Sequence, residues 1–199
     1  MNYRFAICLL LFPLAFDALG AVHIVKRKKK TKAAAAKAKP KAATARKKPV
    51  LADHRYNVVI DKSDYELQVF DAEGWYATYP VVFGNKDQSD KRMEGDRLTP
   101  EGTFRIIDKR TPYKWGAIMV LDYPNAASIA KFQQRKARGE IPQNAKPGGG
   151  IAIHGTWPGS DWVVDNYVNW TEGCISLRNT DLEELYDLLP YGTKVTIKP

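Results

Sequence analysis

YNVVIDKSDYELQVFDAEGWYATYPVVFG, residues 56–84, decides how this chain folds. Three apolar runs, YNVVI, YELQVF and WYATYPVVFG, are separated by the turn-forming groups DKSD and DAEG. Within the runs, β-branched and aromatic residues follow the short alternation of half-buried strands, not the three- and four-residue spacing of an amphipathic helix. The segment predicts a meander of three strands. Four more strands are expected at TFRII (103–107), AIMVL (117–121), GIAIH (150–154) and KVTI (194–197). Two stretches read as helical: AASIAKFQQRKARG (126–139), closing on a glycine suited to a C-cap, and TDLEELYDLL (180–189), where Thr180 and Glu183 have capping-box spacing. The fold class expected is mainly β, two packed sheets with a few helices at the rim.

Outward from this core the composition changes. Residues 1–20 carry Arg4, an apolar run from Phe5 to Phe16 and then DALG, the layout of a signal peptide; the run is short for a membrane span and is broken by Pro13. Residues 21–50 form a Lys/Ala/Pro-rich basic linker expected to be disordered, with 12 Lys or Arg and no acidic residue. Without those cations, Arg4 and Asp17, the remainder has 18 basic and 21 acidic residues, so the formal charge of +9 resides in the tail. Residues 51–199 are expected to be the single folded domain. An exported tail of this kind meets anionic wall or membrane surfaces, which makes nucleic acid the poorer partner.

Cys8 should leave with the signal, isolating Cys174 in TEGCISLRN (171–179). A lone thiol in an oxidising compartment requires a reason, and reactivity is one. Beyond the tail stand His54, at the domain's edge, and His154, closing the strand-like GIAIH. An imidazolium beside Cys174 would favour the thiolate, and Gly173 would let the Gly173 and Cys174 N–H groups approach an oxyanion. On these residues alone a second reading stays open, in which Cys174 is a small buried hydrophobe and His154 a hydrogen-bonded core residue. One Cys and one His, even with Asp161, Asp165 and Glu172 nearby, make a poor metal set, and PGGGIAIH precedes a strand where a phosphate loop precedes a helix. No cofactor is implied. Trp157, Trp162 and Trp170 crowd the connection between His154 and Cys174, either walling a cleft or packing under the loop. The long polar stretch 131–150 reads either as a lid over a cleft or as a plain surface excursion, and Arg97 reads as a residue that holds its own turn.

The ordered set VVIDKSDYELQVF, GDRLTPEGTF, PGGGIAIHG and NWTEGCISLRNTDLEELYDLL resembles the L,D-transpeptidase catalytic domain, or YkuD domain, over about residues 56–197. The resemblance implies a β-sandwich of mixed sheets with the cysteine in a cleft, and acyl transfer on peptidoglycan stem peptides. Cys174 would attack the carbonyl of the third stem residue and expel the terminal D-alanine, with His154 as base and then acid. A thioester would pass the acyl group to an amine, forming a 3-3 cross-link or attaching another acceptor. Members of the family are commonly acylated by carbapenems. The substrate contacts so implied are Gly155, Thr171, Glu172, Ser176 and Arg178.

This chain departs from the commonest family pattern beside the nucleophile. Glu172 stands where relatives often carry histidine, and Ser176 where they often carry arginine, with Arg178 two residues beyond. Variants of this kind resemble murein-processing members, so a carboxypeptidase, endopeptidase or amidase with the same Cys-His site is the first alternative. A non-catalytic wall- or polyanion-binding protein led by its basic tail is the second. The signal-peptide layout of residues 1–20 implies an exported protein, in the periplasm or facing the wall.

Overall fold

A computed structural model of the protein describes residues 56–113 and 116–199. The segment 1–20 read as a signal peptide, the basic stretch 21–50 and His54 lie outside the described residues. The strands are β1 (Asn57–Asp61), β2 (Glu66–Asp71), β3 (Gly74–Pro80), β4 (Gly102–Tyr113), β5 (Gly116–Leu121), β6 (Ala152–His154), β7 (Ile175–Ser176) and β8 (Lys194–Lys198). Three helices accompany them: α1 (Ala126–Ala137), α2 (Trp162–Asp165) and α3 (Asn179–Leu188).

The meander forms as its pattern requires. Val58 and Ile60 of β1 face the core opposite Val69 and Leu67 of β2, and on the other side pair in parallel with Val195 and Ile197 of β8. All six are buried, each contributing about 1.5–3 kcal/mol relative to exposure. Pairing is mixed: β1–β8 and β6–β7 are parallel, and the other neighbours antiparallel.

The mainly β, mixed-sheet class is as expected, but the two sheets are joined. All eight strands hydrogen-bond in the order β3-β2-β1-β8-β4-β5-β6-β7. The cause is β4, whose 12 residues serve both halves: Gly102–Arg105 pair with β8 and Ile106–Tyr113 with β5, with register shifts that bend the strand between. Beyond β3, Val82 exchanges backbone hydrogen bonds of 2.9 Å with Ser176 of β7, so the two ends of the strand order meet.

Three local features differ from expectation. β7 is only two residues long and has no periodic signal of its own. α2 interrupts what reads as an irregular loop. α3 begins one residue early, making Arg178 the N-cap with no side-chain cap bond. The Thr180–Glu183 box is therefore out of register, and Asp161 beside α2 instead accepts the Asn179 N–H at 3.2 Å. α1 ends as read, with Gly139 at φ +71° in the left-handed region beyond its last turn.

Candidate active site

β6 is buried along its whole length and ends at His154, which is 3% exposed. β7 runs parallel to it in the register Ile153↔Ile175 and His154↔Ser176. Cys174 immediately precedes β7. Because side chains alternate across a pleated sheet, Ile153 and Ile175 face the main core, while His154 and the Cys174 edge of β7 belong to the other face. The fold thus brings thiol and imidazole to adjacent strands on one face.

His154 Nδ1 lies 2.7 Å from the Gly155 carbonyl oxygen. A carbonyl can only accept, so the neutral ring carries its proton on Nδ1. Trp170 packs edge-on to the imidazole, with centroids 5.5 Å apart at 83°. The half-buried Cys174 directs Sγ toward the Gly150 carbonyl at 3.5 Å. Burial pushes the thiol above its ordinary range, partly offset by the Ala152 N–H and the Lys91 ammonium. Burial pushes His154 below the usual imidazole range, partly offset by the bond to Gly155. Desolvation thus penalises the charged form of each group, the thiolate of Cys174 and the imidazolium of His154.

The nucleophile loop is built from chain segments far away in sequence. Trp170 and Thr171 N–H groups donate to the Phe83 carbonyl at 2.8 and 3.1 Å, and Asn169 Oδ1 accepts from the Phe83 N–H at 2.8 Å. Thr99 Oγ1 donates to the Gly173 carbonyl at 3.0 Å, and Arg97 Nη2 reaches the Thr171 carbonyl at 3.3 Å. Asp96 holds this underlying segment together. Its carboxylate accepts from Lys91 Nζ at 2.7 Å and from the N–H groups of Arg92, Met93 and Leu98 at 2.6, 2.9 and 3.0 Å. Burial alone would raise the Asp96 carboxyl, but Lys91 and these backbone donors outweigh it and hold it below the ordinary value. Lys62, fully buried, ties the same segment through Glu101 at 2.6 Å and the Gln88 carbonyl at 2.5 Å.

The implied contact residues divide on this geometry. Gly173 is no open oxyanion donor: its N–H donates to Thr171 Oγ1 at 3.2 Å, and it lacks a Cβ because one would meet the Leu98 carbonyl oxygen at 2.6 Å. Thr171, 4% exposed, donates its hydroxyl to the Cys174 carbonyl at 2.8 Å. Ser176, fully buried, donates to Gly155 O at 3.3 Å, the carbonyl that also orients His154. Gly155 is buried as well. These residues are buried, and their hydrogen bonds support the loop and the imidazole from within. Arg178 is engaged by Asp165 and, at 3.3 Å, by Asp181, which occupies its charge. Glu172 stays at the surface, 79% exposed, beside Arg97.

Sequence reading missed Phe83, Asn169 and Thr99 as supports, since no local pattern marks a residue whose partner lies 74–88 positions away, and it missed Asp96, whose partners Lys91, Arg92, Met93 and Leu98 are local. It also gave Arg97 only its own turn to hold. The long connection after α1 does arrive at the nucleophile, through Gly150. Among the described residues, no group of three His, Cys, Asp or Glu side chains is arranged to hold a metal ion.

A mixed β domain that brings a thiol and an imidazole to neighbouring strands holds the residue pair that cysteine nucleophilic catalysis uses. The family model of the L,D-transpeptidase catalytic domain matches residues 55–197, and the chain belongs to that family. Among solved structures, it is similar to the helical cell shape determining protein Pgp2 from Campylobacter jejuni, at 26% identity and a TM-score of 0.54 over 72% of this chain and 47% of that one. It is also similar in fold to Bdellovibrio bacteriovorus Bd1075, at 23% identity and a TM-score of 0.50 over 72% and 48% of the two chains. The chain thus spans about half the length of these structural relatives. Among curated proteins, none matches it significantly.

Proposed function

We propose that the protein is an exported cysteine acyltransferase acting on peptidoglycan stem peptides. The observation that carries this reading is the parallel β6–β7 register, which sets Cys174 and His154 on one face with the Nδ1 proton committed to Gly155. His154 Nε2 takes the Sγ proton as sulfur attacks the stem carbonyl. The Cys174 N–H is the remaining backbone donor for the oxyanion. Collapse breaks the amide bond, the proton on Nε2 passes to the departing D-alanine amine, and a thioester remains. An acceptor amine then attacks the thioester, gives its proton to Nε2 and restores the thiol through it. One amide is exchanged for another, and no nucleotide or oxidant is needed.

Export rests on residues 1–20, and residues 21–50 fit a cationic arm for anionic wall or membrane surfaces. A similarity to a protein described as cell shape determining is consistent with action on the wall that sets shape. Purified protein incubated with defined tetrapeptide muropeptides should yield 3-3 dimers, detected by mass. Shortened monomers alone would make water the acceptor and the protein a carboxypeptidase or related hydrolase. Muropeptide conversion by Cys174→Ala at the wild-type rate would remove the nucleophile assignment.

A further inference from the structure

Directly before Gly173 and Cys174, the loop turns a carboxylate to solvent next to a guanidinium that comes from a segment 75 positions earlier. Arg97 Nε lies 3.3 Å from Glu172 Oε1, with the two side chains 45% and 79% exposed. Arg97 Nε and Nη2 also approach the Thr171 carbonyl, at 3.4 and 3.3 Å. All three contacts are longer than strong charge-assisted hydrogen bonds, and an exposed pair of this kind adds little to stability.

The backbone under the pair is held quite differently. Arg97 itself adopts φ +59°, in the left-handed region. Asp96, its neighbour, takes four bonds of 2.6–3.0 Å, and Thr99 fastens the segment to Gly173 at 3.0 Å. Gly84 lies so close that a Cβ there would meet Arg97 O, Thr171 O and Gly173 N at 2.4, 2.5 and 2.7 Å. The charged heads are loosely engaged on a rigid base, which is the arrangement of a preorganised subsite whose partner charges are exchanged for a ligand's. A non-glycine residue in the left-handed region beside a nucleophile loop points the same way, because such strain gathers at functional positions.

We propose that Arg97 and Glu172 form a subsite for a side-chain end carrying an ammonium and a carboxylate on one carbon, the zwitterionic end of a diamino acid. This rests on the acyl-transfer reading for its substrate, while its recognition chemistry is independent of turnover. Glu172 receives the ammonium and Arg97 the carboxylate, a planar match for the guanidinium fork. The same pair discriminates: an end bearing an ammonium alone meets Arg97's positive charge, and one whose carboxylate is amidated loses its bond to Arg97. The ligand is supplied either by the donor stem or by the acceptor stem, whose ends share this chemistry.

Calorimetric titration of the full-length Cys174→Ala protein tests the subsite without requiring catalysis. The probes are a tetrapeptide muropeptide with a free diaminopimelate end, the same compound amidated at the side-chain carboxylate, and its lysine counterpart. The zwitterionic probe is expected to bind about tenfold more tightly than either of the others. In that background, Glu172→Gln and Arg97→Asn, asparagine being at home in the left-handed region, should each remove the preference while leaving the thermal midpoint near that of the parent. Equal affinity for the three probes, or a tenfold preference that survives both substitutions, overturns the proposal. With Cys174 present, a preference seen in thioester formation assigns the donor stem, and one seen only in thioester consumption assigns the acceptor. Selective binding by a protein that turns over none of the probes would sink the acyl-transfer reading and leave the subsite standing.

Discussion

Gly84 offers the sharpest test of how the nucleophile loop is held, since it follows β3 and stands 90 positions before Cys174. Its backbone is not among the left-handed glycines, so alanine can adopt its conformation. The obstacle is purely steric. The added Cβ would stand 2.4 Å from Arg97 O, 2.5 Å from Thr171 O and 2.7 Å from Gly173 N, all backbone atoms that cannot swing aside. Ordinary carbon–oxygen contacts begin near 3.3 Å, so these atoms must retreat by about 0.6–0.9 Å. Overpacking of this size costs about 1–3 kcal/mol, less about 0.5 kcal/mol recovered from the stiffer unfolded chain. A net loss of about 2 kcal/mol lowers the thermal midpoint of a domain of this size by about 6 °C. The displaced atoms carry Gly173 and with it Cys174, and misplacement by 1 Å can cost about 100-fold in rate, so thioester formation should slow at least about tenfold. Thermal unfolding and intact-mass timing of the Cys174 adduct with a carbapenem measure the two effects. A Gly84→Ala protein with the wild-type midpoint and acylation rate would refute the account of the loop as locked by backbone contact.

Four further outcomes follow from the same geometry. Because burial lowers the His154 pKa and raises that of Cys174, acylation should hold a plateau with its acid limb below the ordinary imidazole range and its alkaline limb above the ordinary thiol range, both limbs belonging to the coupled pair. The depressed His154 pKa also contributes stability that is present above the unfolded value, about pH 6.5, and lost as pH falls through the folded value; His154→Gln should flatten that part of the stability–pH curve in urea titrations. Lys62→Met strips the charge partner from Glu101 and the donor from the Gln88 carbonyl, and should cost about 3 kcal/mol in the urea midpoint, whereas a loss below about 1 kcal/mol would mean Lys62 is dispensable. Asp161→Ala removes the acceptor for Asn179 N–H and Thr156 Oγ1 and should cost about 1–2 kcal/mol, with Asp161→Asn recovering most of it; the reverse ranking would argue against Asp161 as the cap of α3.

Much of the fold is written locally, in the alternation that makes β1 to β3, the apolar runs of β4, β5, β6 and β8, and the glycine that closes α1. Those signals survive because strand burial on one face leaves its period in the sequence. The start of α3 was misread since its N-terminus is capped by Asp161, 18 positions earlier, and local capping patterns carry no trace of such a partner. β7 was invisible because two residues are too few to show a period. Likewise, one long strand shared by both halves joins the sheets, a property of pairing that no run of residues announces.

For the site, the sequence alone supplied the chemistry: a lone Cys174, a His154 at the end of a strand, their order, and a family whose motifs fit both. Tertiary structure decided what each neighbour does. It withdrew Gly173, Thr171 and Ser176 from the surface, since their hydrogen bonds close inside the loop, and gave Arg178 to Asp165 and Asp181. It set Arg97 beside Glu172, because the segment that follows Asp96 runs beneath the nucleophile loop. Reactive groups are legible as residue types, whereas charge neutralisation, burial and contact depend on which distant segments fold against them.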